Sequence, residues 1–198
     1  MKVILLNGSP KSKGCTYTAL KIIENELINE GIEVKFYEVG NKPVIGCTGC
    51  TACRKLGKCV HDDLVNEVSK EIESADGFIV GSPVHYAAAS GAATSFLDRL
   101  FYSTDKNQLR HKFGASIVSC RRGGASATFD QLNKYFTINE MPIVSSVYWN
   151  QIHGNTPEEI VQDLEGVRTM KVLARNMAYL IKCKEAAKNV PLPKLVPV

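Results

Sequence analysis

Four of the seven cysteines stand in one stretch, CTGCTACRKLGKC, at Cys47, Cys50, Cys53 and Cys59. The spacing is C-x2-C-x2-C-x5-C. Structural zinc more often sits between two separated C-x2-C knuckles, and three close thiolates crowd a single ion. A cuboidal [4Fe–4S] cluster spreads its iron corners and accepts three close sulfurs plus a fourth. The bacterial ferredoxin run C-x2-C-x2-C-x3-C-P is similar in its first three cysteines, with the same first two spacings. This chain departs from that run in the spacing before the fourth cysteine, and Val60 stands where the run has proline. Gly46, Gly49 and Gly57 supply turns for a backbone wrapping sulfur, and Arg54, Lys55 and Lys58 would offset a cluster's negative charge. Three readings follow: a cluster, a zinc ion, or free thiols in a loop or interface.

A second chemical stretch is NGSPKSKGCTYT. It closes an apolar run and opens a helical pattern, which suits phosphate binding at a helix N-terminus. Ser9, Ser12, Thr16 and Thr18 offer hydroxyls, Lys11 and Lys13 offer charge, and Gly8 and Gly14 permit close turns. The stretch is neither G-x-G-x-x-G nor a Walker loop. An ordinary polar turn before a capped helix has the same composition.

The elements that must position these residues read clearly. KVILLN, EVKFYEV, GFIVGSP, GASIVSC and PIVSSVYW read as strands. TALKIIENELINE places Leu20, Ile23, Leu27 and Ile28 on one helical face, and Gly31 ends it. DDLVNEVSKEIESAD is a helix entered by Asp62 or Asp63, with Leu64, Val65, Val68 and Ile72 apolar. Helices are also expected over about 91–101 and over ASATFDQLNKYFTINE. A last helical region starts with Thr156 as N-cap, Pro157 at N1 and Glu159 as capping-box partner, and Gly166 is a point of interruption. Five strand–helix alternations predict an α/β fold, a doubly wound five-stranded parallel sheet in three α/β/α layers. The expected order is the flavodoxin-like 2-1-3-4-5, with a site beyond the carboxyl ends of strands one, three and four. The expected boundaries are one domain over 1–185 and a proline-rich tail over 186–198.

Bulk properties bound the rest. The chain has 198 residues, 44% apolar and 22% charged, enough for one domain with a full core. Its net charge of +4 comes from Lys and Arg interspersed with Glu and Asp, which argues against a nucleic-acid binder. No apolar run approaches a membrane span, and MKVILLNGSP breaks too early for a signal peptide. The expected compartment is therefore the cytoplasm, where clustered cysteines serve metal or redox chemistry rather than structural disulfides.

GSPKSKGCT after strand one, GSPVHY after strand three and RRGG after strand four together resemble the FMN-binding loops of the NAD(P)H-dependent FMN reductase family, a flavodoxin-like group. SGAATSFLDR and late W…G and D-x-E-G features fit as well, so that the resemblance covers about residues 1–182. It implies that Ser9, Lys11, Gly14, Cys15 and Thr16 take the FMN phosphate. Cys15 departs from the Asn or Ser often found there; it either gains a lowered pKa at the helix start or packs beside the phosphate. Pro83, Val84, His85 and Tyr86 would carry the flavin ring, with His85 either a ring neighbour or a group acting on substrate. Cys120, Arg122, Gly123 and Gly124 would close the other side; Arg121 or Arg122 would face the reduced ring's charge or a nicotinamide phosphate. Cys120 and Cys183 read as packing residues, and His61, His111 and His153 as surface or loop residues. No catalytic side chain is assigned.

The cysteine stretch is similar to that of iron–sulfur flavoproteins, which carry FMN and a [4Fe–4S] cluster across subunits. That likeness implies a homodimer or homotetramer. The leading expectation is an oxidoreductase in which NAD(P)H, as substrate, reduces FMN, which then passes electrons to a small acceptor: a quinone, a nitro or azo compound, or free flavin. The alternative is an electron relay between protein partners such as ferredoxin through FMN and a cluster. A flavodoxin-like binding module without turnover stands third.

Overall fold

The computed structural model describes residues 1–40 and 42–194. Strand β1 (Lys2–Asn7) leads through the first loop into helix α1 (Cys15–Asn29), which returns to β2 (Glu33–Glu38). The cysteine stretch follows, with a single turn of helix, α2 (Cys53–Leu56), and then α3 (Leu64–Glu73). Asp63 is the N-cap of α3 and accepts from Val65 N. Strand β3 (Gly77–His85) folds back on the two-residue β4 (Ala88–Ala89). The hairpin's central residues, Tyr86 and Ala87, both have positive φ. Then come α4 (Gly91–Ser103), α5 (Lys106–Leu109), β5 (Phe113–Cys120), α6 (Ala125–Thr137), β6 (Gln151–His153), α7 (Pro157–Ile160) and α8 (Leu164–Ala186).

The sheet order is β2-β1-β3-β5-β6, all parallel, with β4 appended to β3. Counting parallel strands alone, this is the expected 2-1-3-4-5. Alternation along β1 sends Ile4 and Leu6 into one core and Val3 and Leu5 into the other. The first core packs under α3, α4 and α6; the second lies under α1 and α8. Both faces of the sheet are covered, which is why the strands read as unbroken apolar runs.

Three expectations need correction. PIVSSVYW is not the fifth strand. It makes only a bridge at Ile143 to Gly114 before leaving the sheet, and pairing resumes at Gln151. Ser146 explains the departure: its hydroxyl donates to the Tyr148 carbonyl and contacts the Asn150 side chain, so local bonds replace the ladder. Gly166 does not interrupt a helix either. The break falls between α7 and α8, and Gly166 donates its N–H to the α8 N-cap Asp163 from within the first turn. The Thr156 cap and Pro157 hold as expected. Cys183 is exposed rather than packed. Residues 190–194 form no helix or strand, and 195–198 of the expected tail lie outside the described residues.

Candidate functional site

The loops leaving β1, β3 and β5 meet in a cavity of ≈ 160 Å³. Of the expected flavin residues, Ser9, Lys11, Cys15, Thr16, Pro83, Val84 and His85 line it. The loop after β1 is held by its own polar groups. Ser9 N donates to the Asn7 side chain at 3.1 Å, and Lys11 N donates to Ser9 Oγ at 3.1 Å. Thr16 Oγ1 lies 2.7 Å from Ser119 Oγ in the buried floor. The Cys15 thiol donates weakly to the Gly154 carbonyl at 3.7 Å. Burial pushes that thiol's pKa up, against the opposing pull of its own N–H and of Lys11. Cys15 is thus a packed thiol and not an activated one.

Two helix starts distinguish this cavity. Helices α3, α4 and α8 are each capped by their own side chains, Asp63, Ser90 and Asp163. Helices α1 and α6 begin on Gly14 and Gly124 with no side-chain cap. Their first N–H groups and positive dipole ends are left for an anionic ligand. Gly124 also has φ +93°, and a Cβ there would come within 2.8 Å of Ala87 Cα and 2.9 Å of Val84 Cγ1. The loop after β5 thereby presses onto the hairpin after β3, closing one side of the cavity.

The remaining expected residues lie nearby without lining it. Cys120 is buried and donates to the Gly123 carbonyl at 3.1 Å. Tyr86 is fully exposed at the hairpin tip. Arg121, not Arg122, lines the cavity. Pro10, Ser119, Gly154 and Asn155 complete the lining, and sequence reasoning gave none of them a role. For Gly154 and Asn155 the signal was the misplaced strand: with β6 assigned to Gln151–His153, they fall at its carboxyl end, beside the cavity.

The four cysteines line one cavity of ≈ 20 Å³ together with Arg99 and Tyr102. Cys47 and Cys50 are exposed; Cys53 and Cys59 are half-buried. Among the described residues, no three His, Cys, Asp or Glu side chains are arranged to hold one metal ion. A zinc ion would need its sulfurs about 2.3 Å from one point, whereas a cluster's corners hold the sulfurs apart. Two observations fit a ligand there: Ser103 Oγ is buried at this cavity without a hydrogen-bond partner, and a buried guanidinium donates to Cys59 Sγ at 3.3 Å. The N–H of Ala52 and the Thr48 hydroxyl hold the Cys50 thiol below its usual pKa. His61, expected to be an isolated surface residue, also lines this cavity.

The family model described as NADPH-dependent FMN reductase matches residues 1–156. The chain belongs to that family. An iron–sulfur flavoprotein of Methanocaldococcus jannaschii is 32% identical over 189 residues, covering 92% of this chain and 98% of that protein. A second iron–sulfur flavoprotein of the same organism is 30% identical over 93% of this chain and 98% of its own length. A solved flavodoxin from the domain Archaea shares the fold, with TM-score 0.63 at 16% identity over 92% of this chain and 99% of that one. FMN-reductase membership thus makes the protein a flavin-dependent oxidoreductase. No helix among the described residues is long and apolar enough to cross a membrane.

Proposed function

We propose that this protein is an iron–sulfur flavoprotein that transfers electrons through FMN, held at the ends of β1, β3 and β5, and a [4Fe–4S] cluster on Cys47, Cys50, Cys53 and Cys59. The observation that carries this reading over a simple reductase is that all four cysteines line one cavity. The naming of the similar M. jannaschii proteins supports it.

Bound FMN supplies hydride acceptance and one- or two-electron release, and a cluster supplies single-electron transfer. The chain's residues do the holding. Ser9, Thr16 and Lys11 would bind the FMN phosphate with the N–H groups at the start of α1. Pro83, Val84 and His85 would hold the ring from one side and the Gly123–Gly124 backbone from the other. Arg121 would set positive charge near the ring and favour its reduced anion. Residues 1–185 act as one flavin-binding domain in this reading, in an oligomer that covers the exposed cysteines. Its electron donors and acceptors are proteins such as ferredoxin, in the cytoplasm.

A second reading takes reduced nicotinamide as donor and a small quinone, nitro or azo compound, or free flavin as acceptor. The exposed His85 at the cavity's edge favours it, because a small molecule has access there.

Anaerobic purification with iron, acid-labile sulfide and flavin assays tests the proposal. About four irons and one FMN per chain are expected. FMN without iron would remove the cluster and leave the second reading; absence of both, in protein that also cannot be loaded with FMN, would sink the two together. Reduction by ferredoxin but not by NADPH separates the readings in the holoprotein.

A further inference from the structure

Arg99 on α4 is 1% exposed and is the bulkiest of the fully buried side chains. All five of its N–H donors have acceptors. Nη1 donates to Asp63 Oδ2 at 2.7 Å and to the Ile45 carbonyl at 3.3 Å. Nη2 donates to Asp63 Oδ1 at 2.9 Å and to the His61 carbonyl at 3.1 Å. Nε donates to Cys59 Sγ at 3.3 Å. One side chain thereby fastens both flanks of the cysteine stretch to α4: Ile45 before Cys47, and Cys59, His61 and Asp63 at the far end.

Cys59 is also gripped through its backbone. Asn66 Oδ1 accepts from Cys59 N at 2.9 Å, and Asn66 Nδ2 donates to the Cys59 carbonyl at 3.0 Å. Among the described residues, no comparable clamp holds Cys47 and Cys50, which are exposed. The four sulfurs therefore differ in how firmly they are held.

The choice of acceptor for Nε is chemically telling. A neutral thiol is a weak acceptor, so a buried guanidinium N–H aimed at one is poorly satisfied. A metal-bound, negatively charged sulfur satisfies it fully, by a charge-assisted bond. Asp63 neutralises part of the guanidinium, and its own side chain is 44% exposed.

Building on the cluster reading, we propose that Arg99 is the positioning residue of the cluster: it presets Cys59 as the anchoring ligand and, through its Nε–H on that sulfur, makes the cluster easier to reduce. Hydrogen bonds to ligating sulfur and nearby positive charge stabilise the reduced, more negative form. Asp63 moderates that effect, so removing its charge acts in the opposite direction.

The test is a redox titration of anaerobically purified holoprotein, followed by the cluster's electron paramagnetic resonance signal, in wild type, Arg99→Lys and Asp63→Asn. Lysine keeps the charge and loses the Nε–H on sulfur. Asparagine still caps α3. With FMN and iron retained, Arg99→Lys is expected to lower the cluster potential so that its reduced-to-oxidised ratio falls about tenfold at fixed potential, about 59 mV for one electron. Asp63→Asn is expected to raise it. Opposite shifts are a signature that mere destabilisation of the fold does not produce. If Arg99→Lys fails to fold, the Asp63→Asn shift decides. An unchanged potential in the folded variants overturns the role of Arg99 and leaves the cluster standing. Wild type with FMN but no iron overturns the cluster reading, and this inference with it.

Discussion

A thiol at the start of a helix invites a lowered pKa, yet Cys15 goes the other way because burial outweighs the N–H and Lys11 beside it. Its raised folded-state pKa gives a definite sign. The folded chain keeps the proton more tightly, so Cys15's contribution is fully present below the ordinary thiol range and is lost as pH rises through the folded value. The fall in unfolding temperature of the apoprotein on going from pH 8 to pH 10 (about the thiol's titration range) should therefore be smaller in Cys15→Ala than in wild type. An equal fall in both would show that the thiol is not held up by its site. The neighbouring charge is equally specific. Arg121→Ala should weaken FMN binding about tenfold, as loss of one charge-assisted contact does, and Arg122→Ala should leave it nearly unchanged. Fluorescence titration of the apoprotein with FMN reads both, and equal losses would contradict the placement of Arg121. The RRGG motif pointed to an arginine without saying which of the two lines the cavity, because neighbouring residues in a turn point in directions that only backbone geometry decides. Arg99 was harder still: its carboxylate partner lies 36 residues away, on another helix.

Helices and strands in this chain were readable where local chemistry settles them. The Asp63, Thr156 and Pro157 signals, and the apolar runs of β1, β3 and β5, depend on neighbours in sequence, and each forms the expected element. The error at PIVSSVYW came from the same apolar signal, overridden by side-chain bonds around Ser146 and Asn150. The last parallel pairing then falls on three residues, Gln151–His153, too few to show a period. What makes so short a strand viable is Asp163. One carboxylate oxygen accepts from His153 N in β6 at 2.7 Å, and the other accepts from Gly166 N at 3.0 Å to cap α8. A cap alone is worth about 1 kcal/mol, and the second bond holds the strand that carries Gly154 to the flavin cavity. Asp163→Ala should cost about 2 kcal/mol in urea unfolding and weaken FMN binding; Asp163→Asn should recover most of the cap and less of the strand. A loss confined to stability, with FMN affinity unchanged, would separate β6 from the cofactor site.

The stretches that lead to the two sites leave the same edge of the sheet, because β1 and β2 are parallel neighbours whose carboxyl ends lie side by side, Asn7 opposite Glu38. The chain leaving β2 toward the cysteines first passes Gly40. A Cβ placed on Gly40 would overlap the Ser9 carbonyl in the loop after β1. The stem of the cysteine stretch is therefore packed directly on the loop that opens the proposed flavin cavity, a contact no local pattern announces because it joins segments about thirty residues apart. The contact makes a distinction that single-site changes can read. Gly40→Ala must displace backbone, at the 1–3 kcal/mol typical of overpacking, about tenfold or more in equilibrium terms. Because the displacement pushes on both segments, it should lower FMN affinity and the iron content of anaerobically purified protein together. Cys47→Ser, at an exposed position of the other cavity, should lower iron content and leave FMN affinity within about twofold of wild type. Measured side by side, a Gly40→Ala protein that loses only one cofactor would show that the two loops yield independently, and that the shared edge positions the sites without coupling them.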